Sequence, residues 1–210
     1  MLRARGLEAV VVGASSGGVE ALCQVLAGLP ADFPAPILIV QHTRSESARG
    51  LCEAFIHAGR LPVVEAEPRQ PILPGCVYVA PPDYHLLVEQ GPRIALSVDE
   101  RVCHVRPSVD VLFESAADVW KDRLAGVILT GANGDGARGL AAVRSRRGVA
   151  IVQDPDDAQM REMPETALRA CGADHVVPLA GVASLLSEMC RRPARRSGGS
   201  RGPRTPEERG

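Results

Sequence analysis

The stretch "VVVGASSGGVEAL", Val10 to Leu22, decides the fold expected of this chain. Three valines run into a turn of glycine and serine, and apolar residues at helical spacing follow it. This pattern is typical of a buried strand that turns abruptly into a helix. A nucleotide-binding loop, a catalytic nucleophile and an ordinary helix cap can all be written this way, so residues elsewhere in the chain must decide among them.

Two further apolar runs have the same form. "PILIV", Pro36 to Val40, leads into "QHTRSES", and "GVILT", Gly126 to Thr130, leads into "GANGDGARG". Continuous β-branched runs that alternate with helical patterns indicate parallel strands buried on both faces. We therefore predict a doubly wound α/β fold, with a mostly parallel sheet and helices on both faces.

The middle and the end of the chain differ in character from this pattern. Cys76 to Val98 alternates short strand patterns with the turns "PPD" and "QGP", which predicts an antiparallel hairpin added at one edge of the sheet. Residues 1–190 form one predicted domain. Residues 191–210 hold seven arginines and two glutamates among Pro, Gly and Ser, so we predict a basic, disordered tail.

Helices are predicted after the strand ends and within the second half of the chain. Ser15 or Ser16 is placed to cap the first helix. Another helix is predicted from Ser47 to Ala58. Ser108 is placed to cap a later one, with Asp110 in its first turn, where the helix dipole favours an acidic residue.

Composition excludes several classes of function. Aromatic residues make up only 3% of the chain, so the stacking platforms of single-stranded nucleic-acid binders are missing. The six cysteines form no C-x-x-C pair and have no histidine at zinc-site spacing. No apolar run approaches the ~18 residues of a membrane span. We expect a cytoplasmic protein without a nucleic-acid partner or membrane insertion.

The chain lacks the residues that a dinucleotide-binding site needs. The ribose of such a cofactor is bound by an acidic residue at the end of the second strand, where this chain has Gln41-His42. Val19 stands where a close-packing glycine is expected. Lys121, the only lysine, lacks the preceding tyrosine of the Tyr-x-x-x-Lys pair found in short-chain dehydrogenases. The nucleotide-binding interpretation of the opening stretch is therefore rejected.

Three polar residues follow the three buried strands. Ser15 comes after the first strand, His42 after the second and Asp135 after the third. Ligands of an open α/β sheet bind outside the carboxyl ends of its strands, and these three residue types are the parts of a nucleophilic triad. Taken singly, each residue also fits an ordinary role as a helix cap, a structural histidine or a turn aspartate.

The flanking glycines indicate which serine is the nucleophile. Gly13 to Gly17 matches G-x-S-x-G, the tight turn that lifts its central serine above a sheet, and this selects Ser15 over Ser16. The backbone N–H of Ser16, at the start of the following helix, could bind a developing oxyanion. Ser16 is thus assigned a backbone role beside the nucleophile.

The chain resembles the catalytic domain of the chemotaxis protein-glutamate methylesterases (CheB-type). The matching segments span nearly all of residues 8–190 and are "VVVGASSGGVEAL", "ILIVQH", "GCVYVAPPDYHLLV", "RPSVDVLFESAA", "GVILTGANGDGARGL" and "MPETAL". The resemblance implies hydrolysis of γ-glutamyl methyl esters on cytoplasmic helices of chemoreceptors, and in many members deamidation of receptor glutamines. It places the nucleophile at Ser15, the base at His42 and the orienting acid at Asp135, without metal or organic cofactor.

Two departures from the family pattern bear on the site and its control. The loop after "LTG" commonly has methionine where this chain has Ala132, and an alanine acting through its backbone N–H could still donate to an oxyanion. Members usually carry an N-terminal receiver domain, whereas the first strand predicted here begins within ten residues of the start. We therefore expect a standalone catalytic domain without that form of regulation.

Two other functions remain open. The fold could serve as a non-catalytic module that binds signalling proteins. It could also be a serine esterase or amidase whose substrate is not a chemoreceptor. Labelling by a serine-reactive fluorophosphonate separates the binding module from both enzymes, since only an activated serine reacts.

Overall fold

A computed structural model describes residues 6–43 and 48–190 of the chain. The predicted basic tail, 191–210, lies outside the described residues. The helix predicted from Ser47 is observed from Arg49 onward, and Ser47 itself is also outside them. None of the described helices is long and apolar enough to span a membrane.

Within the residues that the structure describes, nine strands form two sheets. The strands are β1 (Ala9–Ala14), β2 (Ile37–Gln41), β3 (Val63–Glu65), β4 (Val77–Val79), β5 (His85–Glu89), β6 (Arg93–Ser97), β7 (Leu124–Ile128), β8 (Val149–Gln153) and β9 (His175–Val177). Seven of them form one sheet in the order β3-β4-β2-β1-β7-β8-β9, and every pairing in it is parallel. The other two, β5 and β6, pair antiparallel.

Helices cover both faces of the parallel sheet. They are α1 (Gly18–Gly28), α2 (Arg49–Ala58), α3 (Val109–Trp120), α4 (Ala137–Ser145), α5 (Glu162–Cys171) and α6 (Leu179–Cys190). Side chains alternate between the faces of a strand, so Val10 and Val12 of β1 pack with α1, α2 and α6, while Ala9 and Val11 pack with α3, α4 and α5. The predicted doubly wound α/β fold is confirmed.

The predicted hairpin is present, but it does not extend the parallel sheet. β5 and β6 form a separate two-stranded sheet, whose residues Leu86 and Ile94 are buried in the same core cluster as Leu112 of α3. The first part of the predicted hairpin segment is instead β4, which lies inside the parallel sheet between β3 and β2. β4 is buried throughout, as expected of a parallel strand covered on both faces.

The position of β1 creates the crevice of the fold. β1 pairs with β2 on one side and with β7 on the other, so the chain leaves it in one direction and returns on the opposite side. In open α/β sheets this reversal of strand order opens a crevice at the carboxyl ends of the strands. The loops after β1, β2 and β7 therefore meet there.

Candidate active site

Sheet register brings Ser15 and His42 side by side. Ala14 of β1 pairs with Gln41 of β2, so Ser15 and His42 are the next residues of two neighbouring strands. The His42 N–H donates to the Ala14 carbonyl at 3.0 Å, and the Ser15 N–H donates to the Thr130 carbonyl, just beyond β7, also at 3.0 Å. Three strand ends are thus tied together around Ser15.

Asp135 lies against the imidazole of His42. His42 Nε2 is 2.9 Å from Asp135 Oδ2, and the two side chains are only 9% and 0% exposed. Asp135 Oδ1 also accepts a hydrogen bond of 2.7 Å from the Ser108 hydroxyl. Removed from water and held by several donors, this carboxylate has one fixed orientation relative to the imidazole.

The N-terminus of α3 supplies further donors to Asp135. The backbone N–H of Val109 donates to it at 2.6 Å and that of Asp110 at 3.2 Å. Burial acts to raise the pKa of Asp135, but the hydrogen bonds from His42, Val109 and Ser108 outweigh it, so the pKa lies below its ordinary value. The carboxylate is thus held ionised beside His42.

Asp110 makes the reciprocal contact. Its Oδ1 accepts the backbone N–H groups of Gly136 at 3.0 Å and Gly139 at 2.7 Å, at the start of α4. Burial raises the pKa of Asp110, in spite of the Gly139 hydrogen bond that acts to lower it. Asp135, just before α4, therefore caps α3, while Asp110 of α3 caps α4, and the two helix starts are locked together.

This arrangement corrects the predicted role of Ser108. Ser108 does occupy the N-cap position of α3, but its side chain makes no capping hydrogen bond. Its hydroxyl donates to Asp135 instead, and Asp135 satisfies the helix N–H groups that a capping serine would otherwise accept. Ser108 thus supports the carboxylate rather than its own helix.

The cap predicted for α1 is also wrong. Gly17, not Ser15 or Ser16, is the N-cap, with a left-handed φ of 77° and no side-chain cap. A side chain at this position would be strained by that φ and would also collide with Gln159, whose Oε1 lies 2.3 Å from an added Cβ. The turn therefore requires glycine after the two serines.

Two buried polar residues that the sequence analysis did not single out brace this turn. Gln41 Nε2 donates to the carbonyls of Ser15 and His42, both at 2.8 Å. The Thr130 hydroxyl donates to the Ser16 carbonyl at 2.9 Å and accepts the Met160 N–H at 2.8 Å. Each of these two residues follows an apolar run that predicts a buried strand. A buried polar residue needs hydrogen-bond partners nearby, and this position in the sequence could have identified both of them.

Two backbone N–H groups beside Ser15 are unengaged. Across the described part of the chain, the N–H groups of Ser16 and Ala132 donate no hydrogen bond, and both residues are exposed. Ser16 follows Ser15 directly in the chain. Ala132 follows Gly131, which lies so near the nucleophile that a Cβ added to Gly131 would stand 2.9 Å from the Ser15 Cβ. Two exposed N–H groups without an acceptor among the described residues thus lie on the loops beside Ser15.

The structure does not join Ser15 to His42 by a hydrogen bond. Within residues 6–43 and 48–190, the Ser15 hydroxyl has no hydrogen-bond partner, and His42 Nδ1 faces Asn133, whose Nδ2 lies 3.2 Å away. The backbone places Ser15 and His42 next to each other, but the serine-to-imidazole contact of a working triad is not made in this state.

One group of potential metal ligands lies beside the site. The ligand atoms of Cys103, Asp110 and Asp135 lie within 4.8 Å of one another. Both carboxylates already accept backbone N–H groups at the starts of α3 and α4, which gives each of them a structural role. Their contacts are those of a structural network.

His85 is connected to Asp135 through Ser108. It is 1% exposed, its Nδ1 accepts the Ser108 N–H at 3.2 Å, and its Nε2 lies 3.0 Å from the Glu100 carbonyl. A backbone N–H can only donate and a carbonyl can only accept, so these partners fix a neutral imidazole with its proton on Nε2. His85 thereby holds Ser108, whose hydroxyl reaches Asp135.

Replacing His85 with leucine is expected to lower the free energy of unfolding by about 1–3 kcal/mol, because the Ser108 N–H and Glu100 carbonyl lose their partner in a buried setting. His85→Asn should retain more stability, since its Oδ1 can accept the Ser108 N–H. Urea unfolding measures both changes. His57→Leu, on the exposed side of α2, is the control, and an equal loss there would contradict the assignment.

Comparison with known proteins identifies related sequences. The CheB methylesterase family model matches residues 10–186. A Leptospira interrogans serovar copenhageni protein, provisionally named a protein-glutamate methylesterase/protein-glutamine glutaminase, is 45% identical over 87% of this chain and 94% of its own length. A Symbiobacterium thermophilum protein, named a protein-glutamate methylesterase/protein-glutamine glutaminase, is 41% identical over 85% of this chain. This chain spans only 49% of that longer relative.

A solved structure agrees with the fold. The crystal structure of the Thermotoga maritima CheB methylesterase catalytic domain matches with a TM-score of 0.84 and 34% identity. The match covers 87% of this chain and 98% of that one. Both the parallel sheet and its helices are therefore shared with that catalytic domain.

Proposed function

Because the chain belongs to the CheB methylesterase family, we propose that it hydrolyses γ-glutamyl methyl esters on the cytoplasmic helices of chemoreceptors, releasing methanol and leaving glutamate. The observation that carries this proposal is the buried His42–Asp135 pair, set beside Ser15 by the register of β1 and β2. A serine, an imidazole and an oriented carboxylate at one crevice are suited to acyl transfer.

Ser15 is the nucleophile of the proposed reaction. Its Oγ attacks the ester carbonyl carbon while His42 Nδ1 takes the hydroxyl proton. Asp135, which accepts from Nε2 at 2.9 Å, keeps the ring proton on that nitrogen and stabilises the imidazolium that forms. The lowered pKa of Asp135 supports this role, because the acid must stay ionised while His42 gains a proton.

Ser16 and Ala132 supply the proposed oxyanion hole. Attack converts the carbonyl oxygen into an oxyanion, which needs donors that are already in place. Each of the two backbone N–H groups is without a partner among the described residues, on loops that flank Ser15. Since the donors are backbone groups, alanine at position 132 provides the same N–H as any other residue except proline.

The reaction then proceeds through an acyl-enzyme. The tetrahedral intermediate collapses, the C–O bond to the methoxy group breaks, and His42 returns its proton so that methanol leaves. Water attacks the resulting γ-glutamyl-Ser15 ester with His42 as base, which yields glutamate and free Ser15. A glutamine substrate would lose ammonia by the same steps, in line with the glutaminase activity in the relatives' names.

Methanol release tests this function directly. Full-length protein is incubated with methyl-esterified chemoreceptor fragments, and methanol is quantified against the mass lost from the receptor peptides. We expect release of methanol together with loss of one methylene mass per site. Labelling by a fluorophosphonate without any methanol would favour an esterase or amidase with another substrate, while absence of both reactions would favour a binding module. We also propose a cytoplasmic location, because the receptor helices that would be its substrate lie in the cytoplasm.

A further inference from the structure

The imidazole of His42 is engaged at both of its nitrogens. Nε2 is bonded to Asp135 Oδ2 at 2.9 Å, and Nδ1 lies 3.2 Å from Asn133 Nδ2. The proposed reaction assigns Nδ1 a different partner, the hydroxyl of Ser15. In this state Asn133 therefore occupies the position that the nucleophile needs.

The orientation of the Asn133 amide is determined by a second contact. Asn133 Oδ1 accepts the backbone N–H of Asp135 at 3.1 Å, as in an Asx turn. With the oxygen committed to that N–H, the amide NH₂ faces His42 and must donate to Nδ1. The base is thus neutral, with its proton on Nε2 and its single lone pair on Nδ1 engaged by Asn133.

We infer that Asn133 restrains the general base in a resting arrangement and must release His42 Nδ1 before Ser15 can transfer its proton. This inference rests on the proposed function, because it assigns a partner exchange to the same imidazole. The Nδ1 lone pair lies in the ring plane and can accept one well-aligned donor at a time. Asn133 and Ser15 therefore compete for it.

The loop around Asn133 can make this exchange locally. Gly131 is fixed on one side, where its N–H donates to the Met160 carbonyl at 3.0 Å, and Asp135 is fixed on the other by α3. Between them Ala132 is exposed, and Asn133 and Gly134 are half-buried, so the amide can turn toward solvent without moving the anchors.

Asn133→Ser is the variant that separates the two contacts of the amide. A serine hydroxyl can still accept the Asp135 N–H in the same kind of turn, but it is too short to reach His42 Nδ1. Breaking one hydrogen bond of ordinary strength before reaction slows a step by about 2–10-fold. We therefore expect both the rate of fluorophosphonate labelling and kcat for methanol release to rise about 2–10-fold.

Asn133→Ala is the matched comparison, since it removes the turn acceptor as well as the donor. We expect the serine variant to react at least as fast as the alanine variant. Unchanged or lower rates in Asn133→Ser would overturn the inference, as would a larger gain in Asn133→Ala, which would assign the effect to a loosened loop. Thermal unfolding of all three proteins verifies that they are folded.

These outcomes also separate the inference from the proposed function. If wild type is labelled but releases no methanol, the assigned substrate is wrong, and the labelling rates alone decide the role of Asn133. If wild type and both variants resist labelling, the nucleophilic mechanism and the restraint fall together. Faster labelling of Asn133→Ser than of wild type supports the restraint whichever ester is the natural substrate.

Discussion

Replacing Ser15 with alanine is expected to lower methanol release by about 10⁴-fold or more, because the covalent route through Ser15 is lost while only binding and oxyanion donors remain. Fluorophosphonate labelling should disappear as well. The backbone of the turn is held by the N–H and carbonyl of Ser15 and by Gln41, so the fold should survive. Steady-state assays of methanol and gel-based labelling measure the two effects.

Two other serine variants make this test specific. Ser184→Ala, on α6 and remote from the crevice, is the control for replacing a hydroxyl whose contact is local, since Ser184 donates to Gly181. Ser16→Ala removes the neighbouring hydroxyl and keeps the backbone N–H. Loss of labelling in Ser16→Ala with retention in Ser15→Ala would show that Ser16, and not Ser15, is the nucleophile. Equal methanol release by Ser15→Ala and wild type would refute the acyl-enzyme.

The sequence was sufficient to place three polar residues in one crevice. Parallel strands in a single sheet all end at the same edge, so residues that follow buried strands must lie near one another even when they are far apart in the chain. Ser15 and His42 are neighbours in register for this reason. Asp135 reaches His42 because β1 also pairs with β7.

The supporting contacts could not be predicted in the same way. The sequence pattern places Ser108 at a helix start, where the local role is to cap that helix. Its actual partner, Asp135, lies 27 positions away, and only the packing of α3 beside α4 makes it the better acceptor. His85, from another strand, enters the same network through a backbone N–H, for which no sequence motif exists.

The hairpin shows a similar limit. Alternation of apolar and polar residues predicts that β5 and β6 pair with each other, and they do. It does not specify whether the pair joins the edge of the large sheet or packs against a helix, since both options bury one face. Here the packing with α3 prevails, where the Val88 N–H also donates to the Ser115 hydroxyl.

Asp135→Asn is expected to lower kcat by about 10⁴-fold, because a carboxamide can hold the imidazole in the wrong tautomer and cannot stabilise an imidazolium. The variant should also be less stable at neutral pH by about 1–3 kcal/mol, since Asp135 accepts the Val109 N–H and the Ser108 hydroxyl in a buried setting. Assays of methanol release and urea unfolding at pH 7 test both expectations.

The pH dependence of stability distinguishes a charged role of Asp135 from a merely steric one. Its pKa is lowered on folding, so the ionised carboxylate stabilises the fold above its ordinary pKa of about 3.9, and this contribution disappears as the pH falls through the lower folded value. Asp135→Asn lacks the titrating group. The stability difference between wild type and variant should therefore be full at pH 7 and narrow below about pH 4. A difference that stays constant down to pH 2 would mean that the carboxylate charge contributes nothing, and the network of His42, Ser108 and α3 would then act through shape alone.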